Sequence, residues 1–271
     1  MFPDIFHSRR QEKGDLSLLR GVLHPFPLKN PVYSLSYRDS GWPDDLAVFD
    51  LKEGESDLRI LASADVTPAA RAALIRIRSA LKNHISRHPA FASSLFPVLP
   101  PASAPETLRR MARVAAAFSL GPMAAVAGAV ADYVAGSLAA EVEEAIVENG
   151  GDIHLRTVRP RILGVNPGPG HPLSGRLRIR LPACPAGAGV AASSGRWGRS
   201  LSFGLADVAV VFADDAILAD AAATALANRV HSPAAAADPS LGDEFLARPG
   251  VRALAVVAGE LVQFRGELEL A

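Results

Sequence analysis

The segment Leu218–Val230, LADAAATALANRV, constrains this chain more than any other stretch. Alanine is the best helix former, and its small side chain lets a neighbour approach closely. The segment is therefore expected as a helix packed tightly within the fold. Asp220 and Thr224 stand four residues apart on it, so a carboxylate and a hydroxyl share one face about one turn apart. Two hard oxygens on a helix of small residues suit a Mg²⁺ ion completed by a bound phosphate. They equally suit a buried alanine helix whose Thr bonds back to the carbonyl four residues earlier and whose Asp lies near the start. The residues alone leave both readings open.

At 271 residues and 49% hydrophobic content the chain can bury a sizeable core. Lysine plus arginine and aspartate plus glutamate both total 28, which removes the basic footprint of a nucleic-acid binder. The single cysteine, Cys184, excludes an intramolecular disulfide and a cysteine-based zinc cluster. Its setting, LPACPAG, reads as a proline-punctuated turn with a structural thiol. The first residues, MFPDIFHSRRQEKGDL, carry charges where an export signal needs an apolar run, so a cytoplasmic location is expected. Leu120–Ala140 is long enough for a membrane span, but it is built of Ala, Gly and Val and interrupted by Asp132. It is expected as a buried helix, with no membrane partner.

Alternating residues predict strands at YSLSYRD (33–39), AVFDLK (47–52) and LRILASAD (58–65). Thr67-Pro68 reads as an N-cap and first helical residue, and Ala70, Leu74, Ile77, Leu81 and Ile85 form the apolar stripe of the helix that follows. His84 and His88 at its end are either a metal pair or cations complementing the helix C-terminus. A proline-rich connection at 96–105 leads to a helix over 106–118, and Gly121-Pro122 opens a small-residue helix. Strands are expected at 144–148, 153–158, 161–165, 176–181, 188–193 and 207–213. After the Asp220 helix come an alanine-rich loop, a helix near 241–247 and a closing hairpin in VRALAVVAGELVQF. Strands and helices mix without a βαβ rhythm, which predicts an α+β fold. No internal repeat is visible.

Two glycine turns could carry chemistry. In VENGGDIHL (147–155), Asn149-Gly150 is a hairpin signal, and Gly150 with Gly151 would equally let backbone approach a phosphate, with Glu148 and Asp152 adding polar contacts. In ASSGRWGRSLSFGLAD (192–207), serines and glycines suit an anion nest complemented by Arg196 or Arg199, or an ordinary polar loop. NPGPGHPLSG (166–175), with His171, suits a lid or a surface connection. No nucleophile elbow or dinucleotide-binding glycine fingerprint is present.

Three segments, in this order, resemble the ApbE-like superfamily, the FAD:protein FMN transferases. GPMAAVAGAVADYV is similar to their glycine–alanine–aspartate run, VENGGDI to their N-x-G-G-D turn, and ASSG followed by LADAAATALAN to their S-G turn and metal helix. The wording of ESDL, HPAFASSLFP, GPMAAVAGA, VENGGD and SLSFGLAD is closer still to a short branch of that superfamily. The resemblance covers roughly residues 55 to 230.

This resemblance implies an α+β, ApbE-like fold of duplicated antiparallel-sheet halves with packed helices. One domain would span 1–271: strands and helix at 33–95, the central helix and NGGD hairpin at 106–158, the S-S-G turn and metal helix at 188–230, and a hairpin at 250–265. It implies FAD or FMN with Mg²⁺ in a cleft, and FMN passing to a hydroxyl of an acceptor protein with release of AMP. Asp220 and Thr224 would be metal ligands. Asn149, Gly150, Gly151, Asp152, Ser193, Ser194, Gly195 and Asp132 would line the ligand site. Such chemistry is coherent, because Mg²⁺ held by few protein oxygens binds through phosphates and offsets charge in phosphoryl transfer. Two departures stand out. Ala127 occupies the lysine of a K-G-x-x-x-D element whose Gly128 and Asp132 remain, and Arg199 stands where a histidine is expected. The alternative is therefore a non-catalytic binding or assembly protein that kept the scaffold. The small-residue helices also suit packing across a homodimer.

Overall fold

The protein, described by a computed structural model over residues 45–197 and 201–271, is organised by a repeat of topology. The first half runs β1 (Ala47–Glu53), β2 (Ser56–Ala62), α1 (Thr67–Arg87), α2 (Ala90–Ser93), α3 (Glu106–Ala117), a 3₁₀ turn (Pro122–Ala125), α4 (Val126–Ser137), β3 (Ala145–Asn149) and β4 (Asp152–Thr157). After β5 (Arg161–Val165) and β6 (Leu177–Leu181), the second half runs β7 (Cys184–Ser193), β8 (Val208–Ala213), α5 (Ala216–Arg229), α6 (Pro233–Ala237), α7 (Pro239–Leu246), β9 (Val251–Ala258) and β10 (Leu261–Gly266). Each half is two strands, a helical excursion and two more strands. The halves join edge to edge into an eight-stranded antiparallel sheet, β1-β2-β3-β4-β7-β8-β9-β10. β5, β6 and β11 (Glu269–Leu270) form a separate three-stranded sheet.

Strand alternation sorts the residues into layers. In β8, Ala209, Val211 and Ala213 face α5, whereas Val208, Val210 and Phe212 face the small sheet with Ile179 and Leu181. In the first half, Leu58, Ile60, Ala145 and Val147 pack beneath Leu74, Ile77, Ala129 and Val134 of the helices. The mixed antiparallel architecture agrees with the α+β expectation and with the duplicated halves.

The two small-residue helices meet at the join, and their backbones touch. A Cβ on Gly128 of α4 would lie 2.1 Å from the Ala216 carbonyl oxygen of α5. One on Gly189 of β7 would lie 2.1 Å from the Asp215 carbonyl carbon. Glycine is required at both places because backbone is the obstacle. The alanine face is thus packed inside the chain. No single helix among the described residues is long and apolar enough to cross a membrane. α3 and the 122–137 segment turn by 103° at their junction.

Several local expectations are corrected. α1 begins at Thr67 itself, and Asp65 accepts both the Thr67 N–H (2.9 Å) and hydroxyl (2.6 Å). Cys184 opens β7 opposite Thr157 instead of lying in a turn. The loop after the Asp220 helix contains α6, capped by Ser232 and begun by Pro233. His84 is buried with its ring edge-on to Phe91 at 4.6 Å. Burial, helped by His88 and Arg87, holds its pKa below the usual value, so it is a neutral core histidine and not a helix-end cation. The strand expected at 33–39 lies outside the described residues, as does Arg199. The 166–175 loop is pinned: His171 Nε2 meets the Gly259 carbonyl at 3.0 Å, and Gly168 packs on the Trp197 indole.

Candidate functional site

The site assembles from turns that the topology brings to one end of the α4–α5 contact. β3 and β4 are joined by Gly150 and Gly151, both at positive φ (71° and 110°), as a tight two-residue hairpin requires. Asn149 therefore belongs to the strand, paired with Asp152, and not to the turn. Alternation points its side chain at the helices, where Nδ2 donates to the Ala127 carbonyl at 3.1 Å. Glu148 Oε1 accepts the Gly151 N–H at 2.8 Å and braces the turn.

Asp220 reaches the same place from α5. Its Oδ2 accepts the Gly128 N–H at 2.9 Å, and the Ala127 N–H also favours its ionised form. Asp220 is not near a helix start: α5 begins at Ala216, with Asp215 as N-cap accepting the Leu218 N–H at 3.0 Å. Asp220 serves the first turn of the other helix. Thr224 lies one turn further along α5, 5% exposed, and its hydroxyl makes no hydrogen bond among the described residues. The expected back-bond to its own helix is absent.

The S-S-G turn enters at Ala192 and Ser193. A Cβ on Gly151 would lie 4.0 Å from the Ala192 carbonyl oxygen, and the Ala192 N–H favours the ionised Asp152 carboxylate. Ser193 Oγ and Ser202 Oγ lie 2.6 Å apart, both buried. Ser194 Oγ instead accepts the Arg196 and Trp197 N–H groups at 3.0 and 2.8 Å, fixing the turn after it. Gly195 lies against Gly204, and Gly204 against the Ala227 carbonyl, which ties the turn to the end of α5.

Burial governs the electrostatics. Desolvation pushes Asp220 up to about 7, against the two backbone N–H groups and with added repulsion from Asp132. Asp152 is raised well above the usual carboxylate range by burial, then by Asp220 and Glu148. No lysine, arginine or histidine among the described residues contributes to either shift.

Asp132 lies one turn beyond Gly128 along α4, on the same helix contact. Its Oδ1 and Oδ2 accept the Ala216 and Ile217 N–H groups, each at 3.0 Å, and His154 Nδ1 lies 2.8 Å from Oδ1. The two helices thus cap each other: Asp132 of α4 holds the start of α5, and Asp220 of α5 holds the first turn of α4. Behind Asp132, Asp215 pairs with Arg110. Sequence reasoning missed His154, Asp215 and Arg110. Only the alternation of His154 with Asp152 along β4 hinted that it faces the helices.

Asn149, Gly150, Gly151, Asp152, Ser193 and Asp220 converge, with Thr224 on the same helix. Ser194 and Gly195 shape the adjoining turn. Among the described residues, no three His, Cys, Asp or Glu side chains are grouped to hold a metal.

Comparison with known proteins identifies the family and the fold. The family described as AbpE bacteria matches residues 40–258. A UPF0280 protein of Methanopyrus kandleri is 38% identical over 222 residues, 80% of this chain and 88% of the relative. A UPF0280 protein of Methanosphaerula palustris is 42% identical over 194 residues, 71% of this chain and 79% of the relative. The apo flavinyl transferase ApbE of Pseudomonas stutzeri shares the fold at TM-score 0.52 and 13% identity, covering 83% of this chain and 97% of the other. The ApbE protein of Thermotoga maritima does so at TM-score 0.50 and 13% identity, with the same coverage. The chain therefore belongs to the ApbE-like family described as AbpE bacteria.

Proposed function

We propose that this ApbE-like protein binds a flavin nucleotide, FAD or FMN, or another phosphorylated ligand together with Mg²⁺, at the junction of the 149–152 turn, the 193–195 turn and α5. The observation that carries this reading is Asp220: a buried carboxylate to whose shift no basic side chain among the described residues contributes, one turn from a buried hydroxyl that makes no hydrogen bond among them. An uncompensated buried carboxylate is costly, and a divalent cation offsets that cost. Asp220 and Thr224 supply the hard oxygens Mg²⁺ prefers. Since no three acidic, imidazole or thiol side chains are grouped among the described residues, the ion would complete its shell with phosphate oxygens and water. When bound, the ion would neutralise charge on a diphosphate. Gly150 and Gly151 leave the turn backbone open to a ligand, since a Cβ at Gly150 would meet nothing within 4 Å. The flavin transferase structures that share the fold support a flavin as the first ligand class to test.

FAD added to the purified protein should lose fluorescence with Mg²⁺ present, with at least tenfold weaker binding in Asp220→Ala. Absence of binding to FAD, FMN and ADP, with and without Mg²⁺, overturns the reading.

A second reading, binding or assembly without turnover, draws on Ala127. A methyl group stands where a transferase-like motif places an ammonium, and the Ala127 carbonyl is engaged by Asn149. Measurement of AMP after incubation with FAD separates the two readings, because a pure binder releases none.

A further inference from the structure

β6 carries charge in a pattern that the site described above does not use. Its Leu177, Ile179 and Leu181 are buried against the eight-stranded sheet, on the face of that sheet away from α5. Alternation therefore turns Arg178 and Arg180 outward, and Arg176, in the turn just before β6, continues the exposed row. Successive members of such a row stand about 7 Å apart along the strand. Most arginines among the described residues are engaged: Arg159 and Arg161 take Asp45 and Glu144, Arg252 takes Asp214, and Arg229 takes Glu244. The guanidinium groups of Arg176, Arg178 and Arg180 make no hydrogen bond or ion pair among the described residues. Glu269 of β11 stands in register with Arg180, yet the two form no ion pair. A row of like charges repels itself, and an anionic partner relieves that repulsion.

The neighbouring edge fixes the shape of that partner. β5 pairs with β6 on one side, and its outer backbone groups make no hydrogen bond among the described residues. Such an edge accepts a further strand. Charge on an edge strand discourages unwanted pairing, but these arginines belong to β6 and its approach, one strand in from the edge. Gly164 is the β5 residue in register with Arg178, and a Cβ there would meet nothing within 4 Å. The way from Arg178 across β5 to an added strand, about 10 Å from β6, is thus open, and a guanidinium and a carboxylate side chain close that gap between them. On the inner side, Leu163 of β5 and Ile146 of β3 pack at the margin of the core and are only partly buried. A strand with acid on one face and apolar residues on the other suits both sides of this edge.

We propose that the β5 edge and the arginine row of β6 form a docking surface for an extended acidic segment of a partner protein. The segment adds to β5 as a strand. Its carboxylates, at alternate positions, face Arg176, Arg178 and Arg180, and the apolar side chains between them cover Leu163. Backbone pairing supplies the attachment, while the arginines select acidic segments and speed their encounter. The surface lies across the eight-stranded sheet from α5, so it is independent of the ligand reading above.

A fluorescent peptide of about nine residues, alternating glutamate and valine, tests this on the full chain. Its anisotropy at low salt should give a Kd of about 100 μM or tighter, weakening as salt rises. The same peptide with glutamine for glutamate should bind about tenfold more weakly. Arg178→Glu combined with Arg180→Glu should weaken binding of the acidic peptide as much, while the thermal unfolding midpoint stays within about 2 °C because both side chains are exposed. Gly164→Glu places a carboxylate beside Arg178 without removing any arginine, and should weaken binding about threefold. Hydrogen exchange at alternate β5 amides should slow when the peptide binds. Equal binding by the double variant, or of the glutamine peptide, overturns the proposal. So does unchanged exchange in β5, no binding of the acidic peptide, or tighter binding to phosphatidylserine vesicles or oligothymidylate than to that peptide.

Discussion

Asp132 and Asp220 occupy related places in the two halves, yet their surroundings have diverged. Each is on the helix that its half inserts between strand pairs, and each caps the other's helix. Asp132 has an imidazole at 2.8 Å, whereas no basic group among the described residues contributes to Asp220's shift. One half has satisfied its carboxylate from within. The other gives its carboxylate two backbone N–H groups but no basic side chain among the described residues, and burial raises that carboxylate.

The shared ground of the comparison is the contact at Gly128, so its loss should have the largest effect. Gly128→Val would drive a side chain into the Ala216 carbonyl and should cost about 3 kcal/mol or more of stability in urea unfolding, because rigid backbone cannot give way. Next is Asp132→Ala, which removes two N-terminal hydrogen bonds from α5 and the partner of His154. About 2 kcal/mol is expected from the same measurement.

Asp220→Asn should act in the opposite direction when divalent cations are absent. At pH 8 it removes a buried, uncompensated charge and should be neutral to stabilising by about 1 kcal/mol. Equal destabilisation by Asp132→Asn and Asp220→Asn would erase the asymmetry.

The pH dependence sharpens the same contrast. Folded Asp220 keeps its proton up to about 7, whereas the unfolded carboxyl loses it near 3.8. The folded state therefore holds the extra proton across that window, and stability must fall as pH rises through it. Asp152, raised by burial and by Asp220 and Glu148, deepens the fall. Thermal unfolding without divalent cations should give a Tm that declines from pH 4 to pH 7, less steeply in Asp220→Asn. The smallest stability effect belongs to Thr224→Val, within about 1 kcal/mol, because the hydroxyl makes no hydrogen bond among the described residues. Its cation affinity should still drop.

Much of this asymmetry was visible in the sequence as parts and invisible as an arrangement. Alanine content and the Asp220–Thr224 spacing located a buried helix with two oxygens on it. The glycine pair marked the hairpin, although Asn149 proved to lie in the strand, which is what aims its amide at Ala127. Local signals found most elements, and α6 was missed although Ser232-Pro233 carries the same cap-and-proline signature used for Thr67-Pro68. The mutual capping joins residues separated by 84 to 92 positions, and no periodicity reports contacts of that separation. Gly128 and Gly189 look like ordinary small residues until a second backbone lies against them. The topological repeat survives in strand order while the sequences of the two halves have drifted apart.

The central claim is that Asp220, unlike Asp132, takes its counter-charge from a bound cation. Titration of Mn²⁺ into the protein at pH 8 with FAD present, followed by loss of the free-ion paramagnetic signal, tests it most directly. The account predicts one equivalent taken up by the wild type, uptake retained by Asp132→Asn, and none by Asp220→Asn. Equal uptake by the wild type and Asp220→Asn, or no uptake by either, would contradict it.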